Sequence, residues 1–577
     1  MIRRPPPLLL ALLLVAATAH ADDGRLAVLG AMKQELARAK ERLRLPGYEP
    51  PYFIAYTLRD HQVCEAIGKF GARHQERASR NRHAFVEVRV GDDQLDHTGN
   101  PGDGVALGDP DAYDPDTIAP LDDDAAALRG ALWLLTDVKY KQALAAYAEK
   151  RGRRATQVVE DESLPSFARE PAAKAVDPPI DLACDRPRLA ERARRASARF
   201  KRHPEIFDAE VKLVADRLTR VFVSSEGTEL ISERVIYSTL LVAATRAPDG
   251  MLLEHEKAVY VATAADQPDD PALDRLVDEL SRELLQLRAA PLVDPYTGPA
   301  LLMPQAAGVF FHETLGHRLE GERQNDEREG RTFKGQLGQR ILPEFISLHD
   351  DPTLPQALDG DRPRSLNGHY RFDDEGVAAR DVALITNGVL TDYLKSRTPI
   401  VGSLRSNGHG RAEGTADPIG RMGNLILRST RQLPEAELRR RLLAEVRRQG
   451  KPFGLIIRDI AGGSTNTTNY GFQAFKGQPR LVYRVDAKTG AESLVRGVDM
   501  VGTPLTALGK IVATSDRSGV FNGFCGAESG MVPVSTVAPA VLLSEIELQR
   551  SHRLLERPVI LPPPWADEAP PPAAAAR

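Results

Sequence analysis

The sequence predicts an α+β fold: an amino-terminal α/β-mixed domain followed by a mainly antiparallel, β-rich domain. Three observations carry this. Leucine-rich stretches at helical spacing cluster before about residue 290, and short β-like runs dominate after it. The two regimes meet at Val293-Asp294-Pro295. Over the 577 residues, 42% are hydrophobic and 27% charged, which suits a globular chain and excludes a disordered or fibrous one. With 76 basic against 80 acidic residues the net charge is −4, so no basic excess exists to hold nucleic acid.

The first 21 residues read as an address. Arg3 and Arg4 precede an apolar run from Leu8 to Ala17, and Ala19-His20-Ala21 has the small-x-small pattern of a signal-peptidase site. The run is about ten residues, too short to cross a bilayer, and no later stretch reaches about 18 uninterrupted apolar residues. The expectation is an exported protein, periplasmic or secreted, with no stable membrane span. Of the three cysteines, Cys64 and Cys184 can pair in an oxidising compartment, leaving Cys525 over.

The domain expected at 22–291 opens with a helix on which Leu26, Leu29, Met32, Leu36 and Leu43 recur, closed by Pro46-Gly47. Strands are expected at Tyr52 to Leu58 and Ala84 to Val90. An insertion over about 95–185 follows, with a Asp/Gly/Pro-rich loop to 125, a helix at 125–151 and a charged remainder. A basic helix at about 187–201 presents a solvated face, strands run from Ala209 to Ala264, and a helix at 271–288 closes the domain.

The domain expected at 292–561 begins with a strand at Ala300 to Met303 and a helix from about Ala306 to Glu322. Asn387-Gly388 between two apolar runs signals a tight hairpin. Strands are expected at 424–428, 453–458, 480–485, 493–501 and 509–514, with a helix at 434–448. Residues 562–577 form a Pro/Ala-rich tail expected to be disordered.

One segment carries chemistry: Phe311-His312-Glu313-Thr314-Leu315-Gly316-His317-Arg318-Leu319-Glu320. Zinc-protease helices place histidines at i and i+4, roughly 40° apart, with the adjacent Glu as base. Here the spacing is i and i+5, roughly 140° apart on a regular helix. Both imidazoles bind one ion only if a π-bulge or an opened turn intervenes, and Gly316 makes such a distortion cheap. His312 and Glu313 follow an apolar run, where an unpartnered carboxylate is costly, so an incidental placement explains them poorly. A catalytic zinc needs a third protein ligand. Glu320, one turn on, and Cys525, between Gly523 and Gly526 in an expected glycine-rich loop, both qualify, and the residues alone leave the choice open.

His312 to Glu322 resembles the HExxxH segment of the TldD/PmbA metallopeptidase family. Asp373-Asp374-Glu375-Gly376, Ser406 to Arg411, Pro418 to Asn424, Gly462-Gly463 and Cys525-Gly526 with Val532-Pro533-Val534 are similar to further family segments, in the same order, over about 295–545. The first half fits loosely and 95–185 departs most. The resemblance implies zinc held by His312, His317 and Cys525, with Glu313 as catalytic base, as in the catalytic TldD branch rather than the PmbA branch that lacks the histidines. It implies peptide or unfolded polypeptide substrates and a homodimer or a heterodimer with a related subunit. Glu320 is then a candidate to orient a ligand imidazole, and His409 a candidate to steady an oxyanion, although a glycine-flanked histidine is more often simply exposed. Asp373 and Asp374 are read as turn residues. Two other readings remain: a dedicated processing hydrolase for one modified peptide, and a non-catalytic peptide-binding or assembly protein with structural zinc. Glu313 argues against the latter, because a closed structural site needs no base.

Overall fold

A computed structural model describes residues 23–99, 115–156, 163–326, 328–465, 467–468, 475–502, 504–551, 555–559 and 561–566. The expected leader at 1–21 and most of the expected tail lie outside these. Of that tail, Trp565 packs against Phe70 with ring centroids 4.5 Å apart. The fold is α+β, with two large sheets. No helix among the described residues is long and apolar enough to cross a membrane.

The amino-terminal half contains α1 (Gly24–Arg42), β1 (Pro51–Lys69), β2 (Ala72–Val90), α2 (Ala125–Thr156), β3 (Lys174–Val176), α3 (Arg186–Ser197), β4 (Ile206–Ser224), β5 (Glu229–Arg246), β6 (Leu252–Val261) and α4 (Asp270–Ala289). Its six strands run in the order β2-β1-β4-β5-β3, with β6 also paired to β5. Strands β1 and β2 extend far beyond the expected 52–58 and 84–90: the outer part of β2 is polar and exposed, and that of β1 passes through Arg59 to Gln62 before burying Cys64, Ala66 and Ile67. The helix within the expected insertion, α2, belongs to the core, packing with α1 on Ile54, Tyr56, Val86 and Val221. Helices α3 and α4 pack on Val211, Leu213, Tyr237 and Leu241 of the same face. Side chains alternate along a strand, so the register leaves Arg59, Arg220, Arg234, Glu254, Glu256 and Tyr260 on the opposite, helix-free face. The pair Cys64–Cys184 forms a disulfide that ties β1 to the segment before α3.

The second half contains β7 (Tyr296–Leu302), α5 (Pro304–Thr314), β8 (Ile346–Asp350), β9 (Gln356–Asp359), β10 (Arg362–Ser365), β11 (Val382–Thr386), β12 (Val389–Leu390), β13 (Gly410–Arg411), β14 (Ile419–Gly420), β15 (Asn424–Ser429), β16 (Gln432–Leu433) and α6 (Glu435–Arg448). It continues with β17 (Phe453–Thr465), β18 (Phe475–Asp486), β19 (Glu492–Val495), β20 (Val498–Gly502), α7 (Pro504–Leu508), β21 (Ile511–Ala527) and β22 (Gly530–Arg550). Twelve strands form one mixed sheet, and the long β22 pairs with β7, β15, β20 and β21. The hairpin at Asn387-Gly388 forms, with both residues at positive φ and Ile385 opposite Leu390. Helix α5 is apolar from Ala306 to Phe311, as its burial between β17, β21 and β22 requires, and carries His312 and Glu313 in its last turn.

The helix-free face of the first sheet turns toward the second half. Arg59 and Arg220 both bind Asp374, and Arg220 also donates to the carbonyl of Phe372. Burial alone raises the Asp374 carboxyl, but the two guanidiniums overcome it and hold it well below the ordinary range. Glu256 pairs with Arg480, and the Tyr260 and Phe524 rings meet edge to face at 6.0 Å. A disulfide closing a long loop destabilises chiefly the unfolded chain. Unfolded without reductant, the protein is expected to titrate one thiol, Cys525. Cys184→Ser is expected to lose about 2–4 kcal/mol in chemical denaturation.

Candidate metal centre

The segment after Met303 starts a helix with Pro304 at its first turn, where the missing N–H costs nothing. The α-helix does not run on to Glu322: it ends at Thr314, and Gly316–Leu319 form a 3₁₀ turn. This opened turn brings together two imidazoles that a continuous helix would hold apart. Arg318 fastens the break by donating to the carbonyls of Glu313 and Thr314. Gly316 is required by closeness of packing: a Cβ there would lie 2.0 Å from the Met422 sulfur.

Cys525 completes the cluster. It lies on β21 within the β21–β22 hairpin, opposite Val532, and not in the expected loop. Neither flanking glycine has positive φ, so ordinary strand geometry delivers the thiol. The Cys525 Sγ is 3.2 Å from His312 Nε2 and 3.4 Å from His317 Nε2. The ligand atoms of the three residues all lie within 4.8 Å of one another, and all three residues are buried. Bond lengths of about 2.0 Å to imidazole and 2.3 Å to thiolate in a tetrahedron place such donors about 3.5 Å apart, so the spacing fits a zinc-sized ion. Burial raises the Cys525 thiol, yet the two imidazoles more than compensate and bring it down to about 4. Burial lowers His317, which Glu320 and Cys525 outweigh, raising it to about 10. A soft thiolate with two borderline nitrogens is a donor set suited to zinc.

Glu320 is not a fourth member of that cluster. Its Oε1 lies 3.2 Å from His317 Nδ1, on the far side of the ring from Cys525, and its Oε2 accepts from Arg323 at 2.6 Å. The arrangement orients the His317 ring and leaves Nε2 to face the thiolate. Arg421 was not singled out by residue patterns, although it lies in the Pro418 to Asn424 segment. It is fully buried, donates to the Cys525 carbonyl at 2.7 Å and to its sulfur at 3.2 Å, and sits 3.3 Å from Glu320.

Glu313 faces a different neighbour. Thr465 on β17 places its Oγ1 2.7 Å from the Glu313 carbonyl and 2.9 Å from its Oε2, sharing one hydroxyl proton between them, and Gly463 lies against the side chain so closely that a Cβ would be 2.4 Å from Cγ. His409 departs from expectation: it is fully buried, neither exposed nor among the clustered donors, with Nε2 3.2 Å from Asp350 Oδ1 and Nδ1 near Asn407. Its carbonyl accepts from the backbone of Arg421, so it shapes the segment that carries that arginine. Asp373 accepts from the backbone of Glu375 and Val377, as a turn residue does, whereas Asp374 bridges the two halves.

Residues 295–550 match the PmbA/TldA metallopeptidase C-terminal domain. A metalloprotease of Methanocaldococcus jannaschii is 28% identical over 319 residues, covering 55% of this chain and 64% of its own length. A zinc metalloprotease TldD homolog of Saccharolobus solfataricus is 26% identical, over 60% of this chain and 72% of its own. The chain thus spans somewhat under two thirds of the first of these relatives. The fold is shared with TldE from Thermococcus kodakarensis, at a TM-score of 0.58 and 15% identity over 90% of this chain and 100% of that one. Residues 295–550 thus place the carboxy-terminal half of the chain in the TldD/PmbA metallopeptidase family.

Proposed function

We propose that the protein is an exported zinc metallopeptidase acting on unstructured peptides or polypeptide segments. The observation that carries this is the convergence of His312, His317 and Cys525, with the buried carboxylate of Glu313 next to His312 in sequence and not part of the donor cluster. Three protein ligands leave a zinc ion one position for water or substrate, whereas a closed structural site takes four. A bound zinc ion supplies Lewis acidity, lowering the pKa of a water to about 7 and polarising a peptide carbonyl.

The chain's own residues divide the remaining work. Glu313 removes the proton from the attacking water and returns it to the departing amine. Thr465, whose hydroxyl proton is shared between the Glu313 carbonyl and one carboxylate oxygen, steadies the residue while the other oxygen exchanges the proton. Gly463 leaves room for that side chain. Glu320, braced by Arg323, holds the His317 ring in place, and Arg421 shares the charge of the thiolate. An extended peptide pairs its backbone with an exposed strand near the site, a mode that gives affinity with little sequence choice. The run of β17 past Ile457 supports this, since β7 pairs with β17 only at 455–457. The functional unit is a pair of subunits, either two copies or this chain with a related one, a reading supported by the fold shared with TldE.

Export is supported by the leader-like start and by the Cys64–Cys184 bond, which suits an oxidising compartment. Amino-terminal sequencing of protein recovered from the periplasm or medium is expected to begin at Asp22; recovery of the intact chain from the cytoplasm alone would refute export.

Glu313→Gln is expected to retain zinc while cleavage of unfolded casein falls at least about 100-fold, as for loss of a general base. Cys525→Ser is expected to lose the metal, measured by zinc content after gel filtration. Gly463→Ala displaces the Glu313 side chain and is expected to lower kcat more than about tenfold with zinc retained, since a misplaced catalytic group forfeits orientation. Glu320→Gln is expected to weaken zinc retention about 10–100-fold in competition with a chromogenic chelator.

A further inference from the structure

All four helices of the amino-terminal half cover one face of its sheet, so the other is free to line a cavity. Between that face and an arm formed by the end of β17 and the start of β18 runs a cleft of about 810 Å³, within the range of ligand sites. Gly463 lines this cleft, and Gly463 is also the residue packed against Glu313. The cleft and the carboxylate assigned as base thus share Gly463 as a neighbour, which places the cleft one residue of the β17 arm away from Glu313.

Its charges are unequally committed. Arg246 is bound to Glu556 and to the carbonyl of Gly250. Arg480 is bound to Glu256 at 2.8 Å and to the carbonyl of Ala461 at 3.0 Å. Lys476 lies 3.7 Å from Asp499. All three lining cations are thus neutralised, as are two of the three lining glutamates. The third, Glu254, is exposed on β6 and makes no ion pair or hydrogen bond among the described residues. Val242 and Leu252 line the same wall and offer apolar surface beside it. An uncommitted carboxylate next to an apolar shelf matches a long side chain with an aliphatic stem and a cationic head.

We propose that this cleft takes the part of the peptide flanking the scissile bond and favours a lysine or arginine there, with Glu254 as the specificity-determining residue. The inference rests on the peptidase reading. The preference is modest and is superimposed on sequence-tolerant backbone pairing, because a partly solvated ion pair contributes little.

The test uses the full-length, zinc-loaded protein and a set of otherwise uncharged, unstructured fluorogenic peptides carrying Lys, Gln or Glu at each position flanking the cleaved bond. At one position kcat/KM for Lys is expected to exceed that for Gln by about three- to fivefold, mainly through KM. Glu254→Gln is expected to erase this ratio, and Glu254→Arg to invert it in favour of Glu. Anisotropy of labelled peptides on the Glu313→Gln protein, with and without Glu254→Arg, reads the same ranking as dissociation constants without turnover. A Lys/Gln ratio that is flat, or that survives Glu254→Gln, overturns the proposal. Failure of the wild type to cleave any peptide would overturn the peptidase reading instead, and the binding ranking would then decide the cleft on its own.

Discussion

Two imidazoles five residues apart must meet one thiol, and the centre of the molecule is organised around that requirement. A continuous helix cannot satisfy it, because the rings would diverge by roughly 140°. The chain stops the α-helix at Thr314, turns through a 3₁₀ segment and caps the break with Arg318. The break needs a neighbour that fills the space without crowding it, and Met422 does so only because residue 316 lacks a Cβ. Around the donors, Glu320, Arg323 and Arg421 form a buried ionic shell in which each charge has a partner, as burial at such depth demands.

The same economy governs how the two halves meet. The amino-terminal sheet carries its helices on one side only, so its other face must be covered or kept polar. Near Arg59 and Arg220 it is covered, through an Asp374 whose ionised form is favoured by two guanidiniums. Near β6 it remains open and forms a wall of the cleft that Gly463 lines from the other side. One sheet thus docks the second half at one end and lines an open cleft at the other.

Much of the centre is legible in the sequence because it is local. His312, Glu313, Gly316 and His317 lie within six positions, and their spacing already demands a broken helix. The hairpin at Asn387-Gly388 and the helix α6 follow from turn chemistry and apolar periodicity. What local pattern misses depends on distant contacts. Strands β1 and β2 are long because they pair along their whole length, which carries the polar outer residues of β2 into the sheet. Cys525 looks like a loop residue among glycines, yet the pairing of β21 with β22 makes it a strand residue. His409 looks exposed for the same reason, and only the fold supplies the Asp350 that makes its burial tolerable. The role of Arg421 depends on Cys525, more than 100 residues away in sequence, and no pattern around it announces this.

The account stands on three protein ligands of stated chemistry around one ion. Zinc-edge X-ray absorption on the purified wild-type protein tests this most directly. The predicted shell has one sulfur at about 2.3 Å, two imidazole nitrogens at about 2.0 Å and one light atom from solvent. A shell without sulfur, or a fully closed four-ligand protein shell, would contradict it.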